Sequence, residues 1–410
     1  MRGMSEQLMS TDEIRSHFPA LQRLHNGKKV AYFDAPGGTQ VPRGVAVAMT
    51  NYLLEHNANT HWGYPTSDET DAIIAESRAA AADFLNSSPE EIVFGANMTT
   101  LTFHLARALG RTWSAGDEVI VTELDHDANV APWRALERDR GVLLRMVPVN
   151  LETLQLDMDA MEHLVSPRTK LIAVCGASNA VGAMPDLARV SAIARSAKAL
   201  LFVDAVHLAP HELVDVRRIG CDFLACSPYK FYGPHTGIVY ARDELLQSLP
   251  FPKLTPAPDN APDRAETGTL NHEGIAGIGA AIEFLASLGG DRGNRRERLE
   301  RGYEEQHSRG MNLLRILYDG LSAIAGVRIY GPGLQAERTP TLSFTLEGVA
   351  AEEISRRLAD KAIFASHGNF YASTLIERLG VDGLLRVGCG CYTTEDEVRR
   401  LVEEVGRIAM

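Results

Sequence analysis

"FLACSPYKFYGPHTGIVYA" (residues 223–241) places two apolar runs, FLAC and GIVYA, on either side of a polar and aromatic turn with Lys230 in it. Short apolar runs bounded by Ser, Gly and Pro read as buried strands. Alone, a lysine after such a run is an ordinary surface residue. This one is walled in by Ser227, Tyr229, Tyr232 and the Gly233-Pro234 turn. Desolvation there lowers an ammonium's pKa and makes it a usable amine.

Working outward, runs of the same kind recur upstream: EIVFG (91–95), EVIVTE (118–123), LLRMVPV (143–149), KLIAVCGA (170–177) and ALLFVDA (199–205). Connectors such as PDLARVSAIARSAKA (185–199) carry apolar residues at helical spacing. Strand–helix alternation predicts βαβ units and a mostly parallel, buried sheet, an α/β fold. GIAGIG (274–279) reads as a closely packed helix start. Beyond it the pattern changes to α+β, with strands at VRIYG and TLSFTLEG, a helix through 351–361, LLRVGCGCY, and a final helix opened by the capping box Thr394-x-x-Glu397. The charge-dense DRGNRRERLERGYEEQ (291–306) reads as a solvated helix face. A smaller second domain is expected from about residue 285.

The chain has 410 residues, too many for one ordinary core, so two domains are expected. A net charge of −12 argues against nucleic acid or an anionic membrane as the main partner. No apolar stretch reaches the ~18 residues that span a bilayer. The start, MRGMSEQLMSTDEIRSHF (1–18), lacks the apolar core of a signal peptide, so the chain reads as cytoplasmic. The five cysteines, Cys175, Cys221, Cys226, Cys389 and Cys391, form no CxxC pair, and neither a disulfide framework nor a metal site is suggested.

Ligands of an open parallel sheet bind outside the carboxyl ends of its strands. The residues that follow the runs are Asp125-His126-Asp127-Ala128-Asn129, Ser178-Asn179, Asp204 with His207, and Ser227, Tyr229 and Lys230. After EIVFG, Thr99 and Thr100 open a helix whose N-terminus favours an anion. Each residue alone has a structural explanation as a cap, a turn or a hydrogen-bonded histidine. Together they supply an amine, a carboxylate, a flat ring and a phosphate cradle, which are the needs of pyridoxal 5'-phosphate. No P-loop, G-x-G-x-x-G, H-E-x-x-H or G-x-S-x-G motif competes.

With these residues in place, the sequence resembles the class V aminotransferase family of fold type I pyridoxal-phosphate enzymes. The likeness is greatest to its cysteine desulfurase-like and selenocysteine lyase-like members. It runs through YFDAPGGTQVP (32–42), DHDANVAPW (125–133), SNAVGAMPDL (178–187), FVDAVHLAPHELVDV (202–216), SPYKFYGPHTGIVY (227–240), ETGTLNHEGIAGIGAAIEFL (266–285) and LRVGCGCYTTEDEVRRL (385–401). The resemblance implies an N-terminal segment (1–30) packing on the small domain, a large cofactor domain (31–284) with a mostly parallel seven-stranded sheet, and a smaller α+β C-terminal domain (285–410). It implies that Lys230 binds the cofactor covalently, Asp204 keeps its ring nitrogen protonated, His126 lies against the ring and Asn179 meets the phenolic oxygen. Met98, Thr99, Ser227, Tyr229 and His207 would complete the cofactor site, and Thr269 would reach the phosphate of a neighbouring subunit in a homodimer. Arg386 would take the carboxylate of an amino-acid substrate, with Asn179 and His367 beside it.

Two departures bear on the reaction. His207 stands where desulfurases commonly have glutamine, and no histidine precedes Lys230; both features resemble kynureninases and epimerase-like relatives. In IFASHGNFYA (363–372), desulfurases carry an arginine and then a sulfur-accepting cysteine, where this chain offers Ser366 or His367 and then Tyr371. The expected activity is cleavage of a Cβ–sulfur or Cβ–selenium bond of cysteine or a derivative. Aminotransfer, epimerisation, kynureninase-like cleavage or a non-catalytic sulfur-relay role are the alternatives.

Overall fold

The computed structural model describes residues 8–410; the part of the N-terminal readings that falls on residues 1–7 lies outside the described residues. Each of the seven apolar runs forms a strand: β1 (Ile92–Gly95), β2 (Glu118–Thr122), β3 (Leu143–Val147), β4 (Thr169–Cys175), β5 (Leu200–Asp204), β6 (Phe223–Cys226) and β7 (Gly237–Ala241). They make one sheet in the order β1-β7-β6-β5-β4-β2-β3. Only β7 runs against its neighbours. Central β4 and β5 are apolar at nearly every position because helices cover both faces, leaving no solvent side to alternate with.

Helix His272–Ser287 is glycine-rich because it packs backbone-close to its neighbours. A Cβ on Gly277 would sit 2.9 Å from Pro234, and one on Gly279 would sit 2.7 Å from the Ser77 hydroxyl.

The second, smaller domain is built on an antiparallel sheet of β8 (Val327–Tyr330), β9 (Thr341–Leu346), β10 (Ser366–Gly368) and β11 (Leu384–Gly388), in the order β8-β9-β11-β10. Its separate apolar core joins these strands to helices Arg295–Ser322, Ala351–Asp360 and Glu395–Ala409. The last helix opens with the capping box formed by Thr394 and Glu397. At the N-terminus, Arg15 pairs with Glu397 at 3.0 Å and donates to the carbonyl of Tyr392.

The charged segment 291–306 differs from its reading as a solvated face. Arg296 donates to three main-chain carbonyls, of Asp83, Phe84 and Val214, while Arg295 pairs with Asp83 and Glu283. These guanidiniums sit on the ends of loops and helices, where carbonyls have no helical partner. The charges here tie the start of helix Arg295–Ser322 to the chain around Asp83, Phe84, Val214 and Glu283.

Candidate active site

The carboxyl ends of β1, β2, β4, β5 and β6 open into one cavity. Met98, Thr99, His126, Asn179, Asp204, His207, Ser227, Tyr229 and Lys230 all line it, together with Cys175.

Its anion end is made by backbone. Asn97 is extended (φ −171°), and its side chain accepts from the N–H of Thr100 at 2.8 Å, capping helix Met98–Gly110. The N–H of Met98 donates to the Ser227 hydroxyl at 3.3 Å. Gly237, at the start of β7, lets this corner close; a Cβ there would lie 2.4 Å from the Asn97 carbonyl carbon. First-turn N–H groups carry the positive end of the helix dipole, so the corner suits a phosphate.

Lys230 closes a single 3₁₀ turn (Pro228–Lys230) and is 8% exposed. Its amine donates to the carbonyl of Pro36 and stands 5.0 Å from the centre of the Tyr229 ring. The turn is held from outside by Thr39, whose N–H donates to the carbonyl of Tyr229 and whose hydroxyl accepts from the N–H of Tyr232. Burial, and after it the charge of Arg386, brings the amine down to about 7; Asp204 and Asp34 oppose the shift.

Asp204 ends β5 and accepts from the N–H of Val206 at 2.9 Å; burial raises it to about 6. Beside it, Asp125 is held by Thr122 and Asn129 and raised to about 7, again by burial first. The Nδ1 of His126 accepts from the N–H of Ala128 at 3.0 Å, which places the ring proton on Nε2. Burial takes this imidazole down to about 4, so it is neutral at physiological pH.

The small domain meets the site at Asn179. Arg386 of β11 is 4% exposed; Nη1 donates to the Asn179 carbonyl at 2.8 Å, and Nε and Nη2 donate to the Ser366 hydroxyl. Its guanidinium lies 4.1 Å over the Phe370 ring. Burial lowers it to about 9, with Asp34 and Tyr229 opposing. The next residues, Phe370 and Tyr371, are both left-handed (φ 56° and 57°) and pinned to the large domain. Asn179 Nδ2 donates to the Phe370 carbonyl at 2.9 Å, and the Asp127 N–H donates to that of Tyr371 at 2.8 Å.

One residue expected beside Arg386 is not brought there. His367 is exposed, paired with Leu385, one position away from the Ser366–Arg386 pair. Strand alternation turns its side chain to the other face, so Ser366 meets the arginine instead. Thr269, expected at a neighbouring subunit's site, is exposed and lines a separate groove with Asn59, His61, Trp62 and Arg78. Among the others, His207 has a second attachment: its Nε2 bonds the hydroxyls of Thr339 and Thr341, tying the β5 loop to the small domain.

Sequence reasoning passed over Asp34. Its Oδ1 is buried without a partner, and its charge acts on both Lys230 and Arg386. The signal was present in YFDAPGG, where one carboxylate precedes the glycines that let this turn approach: a Cβ on Gly37 would lie 3.4 Å from Arg386 Nη2.

A buried amine, two raised carboxyls and an anion corner at the strand ends of an α/β sheet form the frame of an enzyme. A model of the aminotransferase class-V family matches residues 31–401, and the chain belongs to that family. It is 32% identical to a cysteine desulfurase of Dickeya dadantii, over 97% of this chain and 96% of that one. It is 34% identical to one of Klebsiella pneumoniae, over 97% and 98%. The apo structure of a cysteine desulfurase from Thermococcus onnurineus NA1 superposes with a TM-score of 0.88 at 26% identity, covering 99% of each chain.

Proposed function

We propose that this chain is a pyridoxal 5'-phosphate enzyme, desulfurase-like, that breaks the Cβ–S or Cβ–Se bond of cysteine or a cysteine-derived amino acid. The observation that carries the reading is the meeting, in one cavity, of the Lys230 amine, the Asp204 carboxyl, the His126 ring and the Met98 helix terminus, with Arg386 bonded to Asn179 at its edge.

The residues fit the cofactor. Two buried polar atoms at the cavity, Asn179 Oδ1 and His207 Nδ1, have no protein partner. When bound, the cofactor supplies an aldehyde that joins to amines and a ring that draws electrons from the substrate's α carbon. Lys230 would hold the aldehyde, Asp204 the ring nitrogen's proton, His126 one ring face and Asn179 the phenolic oxygen. Met98, Thr99, Ser227 and Tyr229 would hold the phosphate, with His207 completing the wall. Thr269 would reach the phosphate held by a second copy of the chain, making a homodimer with shared sites. Arg386, fixed by Ser366 and Asn179, would hold the substrate's carboxylate. Once displaced by the substrate's amine, Lys230 Nζ would take the proton from Cα; a base tuned to about 7 is near the optimum for that step.

We place the domain division near residue 285, with residues 1–30 attached to the small domain, and the protein in the cytoplasm. The test is a screen of cofactor-loaded protein with cysteine, cysteine sulfinate and a cysteine S-conjugate. Release of pyruvate or alanine is expected; no product from any of the three overturns the reading.

A further inference from the structure

The fate of the sulfur follows from where this chain keeps its thiols, given the carbon–sulfur cleavage proposed above. Making alanine from cysteine leaves the electron pair of the Cβ–S bond on carbon. Sulfur must then depart onto a thiolate: cysteine and R–SH give alanine and R–S–SH. The enzyme needs an accessible thiol beside the substrate.

None of the five cysteines is placed to be that thiol. Cys221 and Cys226 are packed in the large core, 2% and 0% exposed. Cys389 and Cys391 line a different cavity, with His211, Tyr303 and Arg309. Cys175 does reach the site, but on its sheet side: it pairs with Asp204 in the β4–β5 ladder, and its Sγ rests 3.8 Å from the Leu124 carbonyl. Burial and the two neighbouring aspartates push that thiol well up. Beside Arg386, residues 366–372 are Ser-His-Gly-Asn-Phe-Tyr-Ala. Tyr371 in this segment is 70% exposed, with its ring 5.4 Å from that of His126. A phenol cannot carry a persulfide.

We propose that the reaction ends by β-elimination: the β substituent leaves past Tyr371 into solvent, and the products are pyruvate and ammonium, not alanine. Lys230 takes the Cα proton, the Cβ–S bond breaks, and its electron pair leaves on sulfur. The three-carbon dehydroalanine takes up water. Cysteine and water thus give pyruvate, ammonium and hydrogen sulfide, with no net oxidation and no acceptor thiol.

The experiment incubates cofactor-loaded protein with L-cysteine, and separately with S-methyl-L-cysteine, without added thiol. Pyruvate, ammonium and alanine are measured, and the intact protein is weighed by mass spectrometry after turnover. Pyruvate and ammonium in equal amounts, little alanine, and an unchanged protein mass are expected. The Cys389→Ser and Cys391→Ser proteins should give the same product ratio; if either fails to fold, the wild-type mass still decides. Alanine as main product, or a mass gain of one sulfur atom, overturns the proposal and leaves carbon–sulfur cleavage standing. No product from either substrate overturns the proposal, and carbon–sulfur cleavage then stands or falls on the three-substrate screen above.

Discussion

Arg386 donates through Nη1 to the main-chain carbonyl of Asn179 at 2.8 Å, so the loop after β4 and the small domain are fixed to each other at the site. Three bonds and the Phe370 ring hold the guanidinium in one pose. Lysine has no planar fork to reproduce it. Arg386→Lys is therefore expected to cost about 2–5 kcal/mol in kcat/KM, a loss of roughly 30-fold to several thousandfold, carried mostly by KM. Initial rates against substrate concentration check this; an unchanged KM would remove Arg386 from substrate binding.

Cofactor capture by apo-protein should depend on pH through Lys230. Only the neutral amine attacks an aldehyde, and an amine at about 7 is protonated below that pH and neutral above it. The capture rate should rise between about pH 6 and 8 and then level off. Stopped-flow absorbance reads it. A rate still climbing at pH 10 would mean an ordinary lysine.

Asp34→Asn should move that midpoint to lower pH, because its carboxylate favours the charged amine and the amide does not. The residue is a positioning one, so the shift in midpoint, rather than a loss of rate at high pH, is the signature. An unmoved midpoint would leave Asp34 with a packing role only.

Asp204→Asn is expected to lower turnover by roughly 10²–10³-fold, the size of losing one preorganised electrostatic partner. Cofactor retention on gel filtration should weaken with it. Turnover within a few-fold of wild type would contradict the assigned role.

Arg296→Ala removes three bonds to the carbonyls of Asp83, Phe84 and Val214. Bonds from a charged donor are worth more than neutral ones and leave buried carbonyls unmet, so about 2–4 kcal/mol of stability should be lost. Denaturant titration measures it.

The large sheet was legible because buried parallel strands are largely apolar and their polar ends announce themselves: Asp204 ends such a strand, and Asn179 and Lys230 each stand four residues past one. The small-domain side was harder to read. Whether Ser366 or His367 meets Arg386 depends on the β10–β11 register, which neither residue type determines. Asp34 enters through a turn 196 residues before Lys230 (230 − 34), with no local pattern to mark it. Arg296 and Arg301 look solvated in sequence because they reach main-chain carbonyls, which have no letter of their own.

The central claim is that the side-chain amine of residue 230 is the cofactor's covalent anchor. Borohydride reduction of the cofactor-loaded protein, followed by proteolysis and peptide mass spectrometry, tests it directly. A pyridoxyl group on Lys230, absent in Lys230→Ala, is expected; a label on another lysine, or none, would contradict the account.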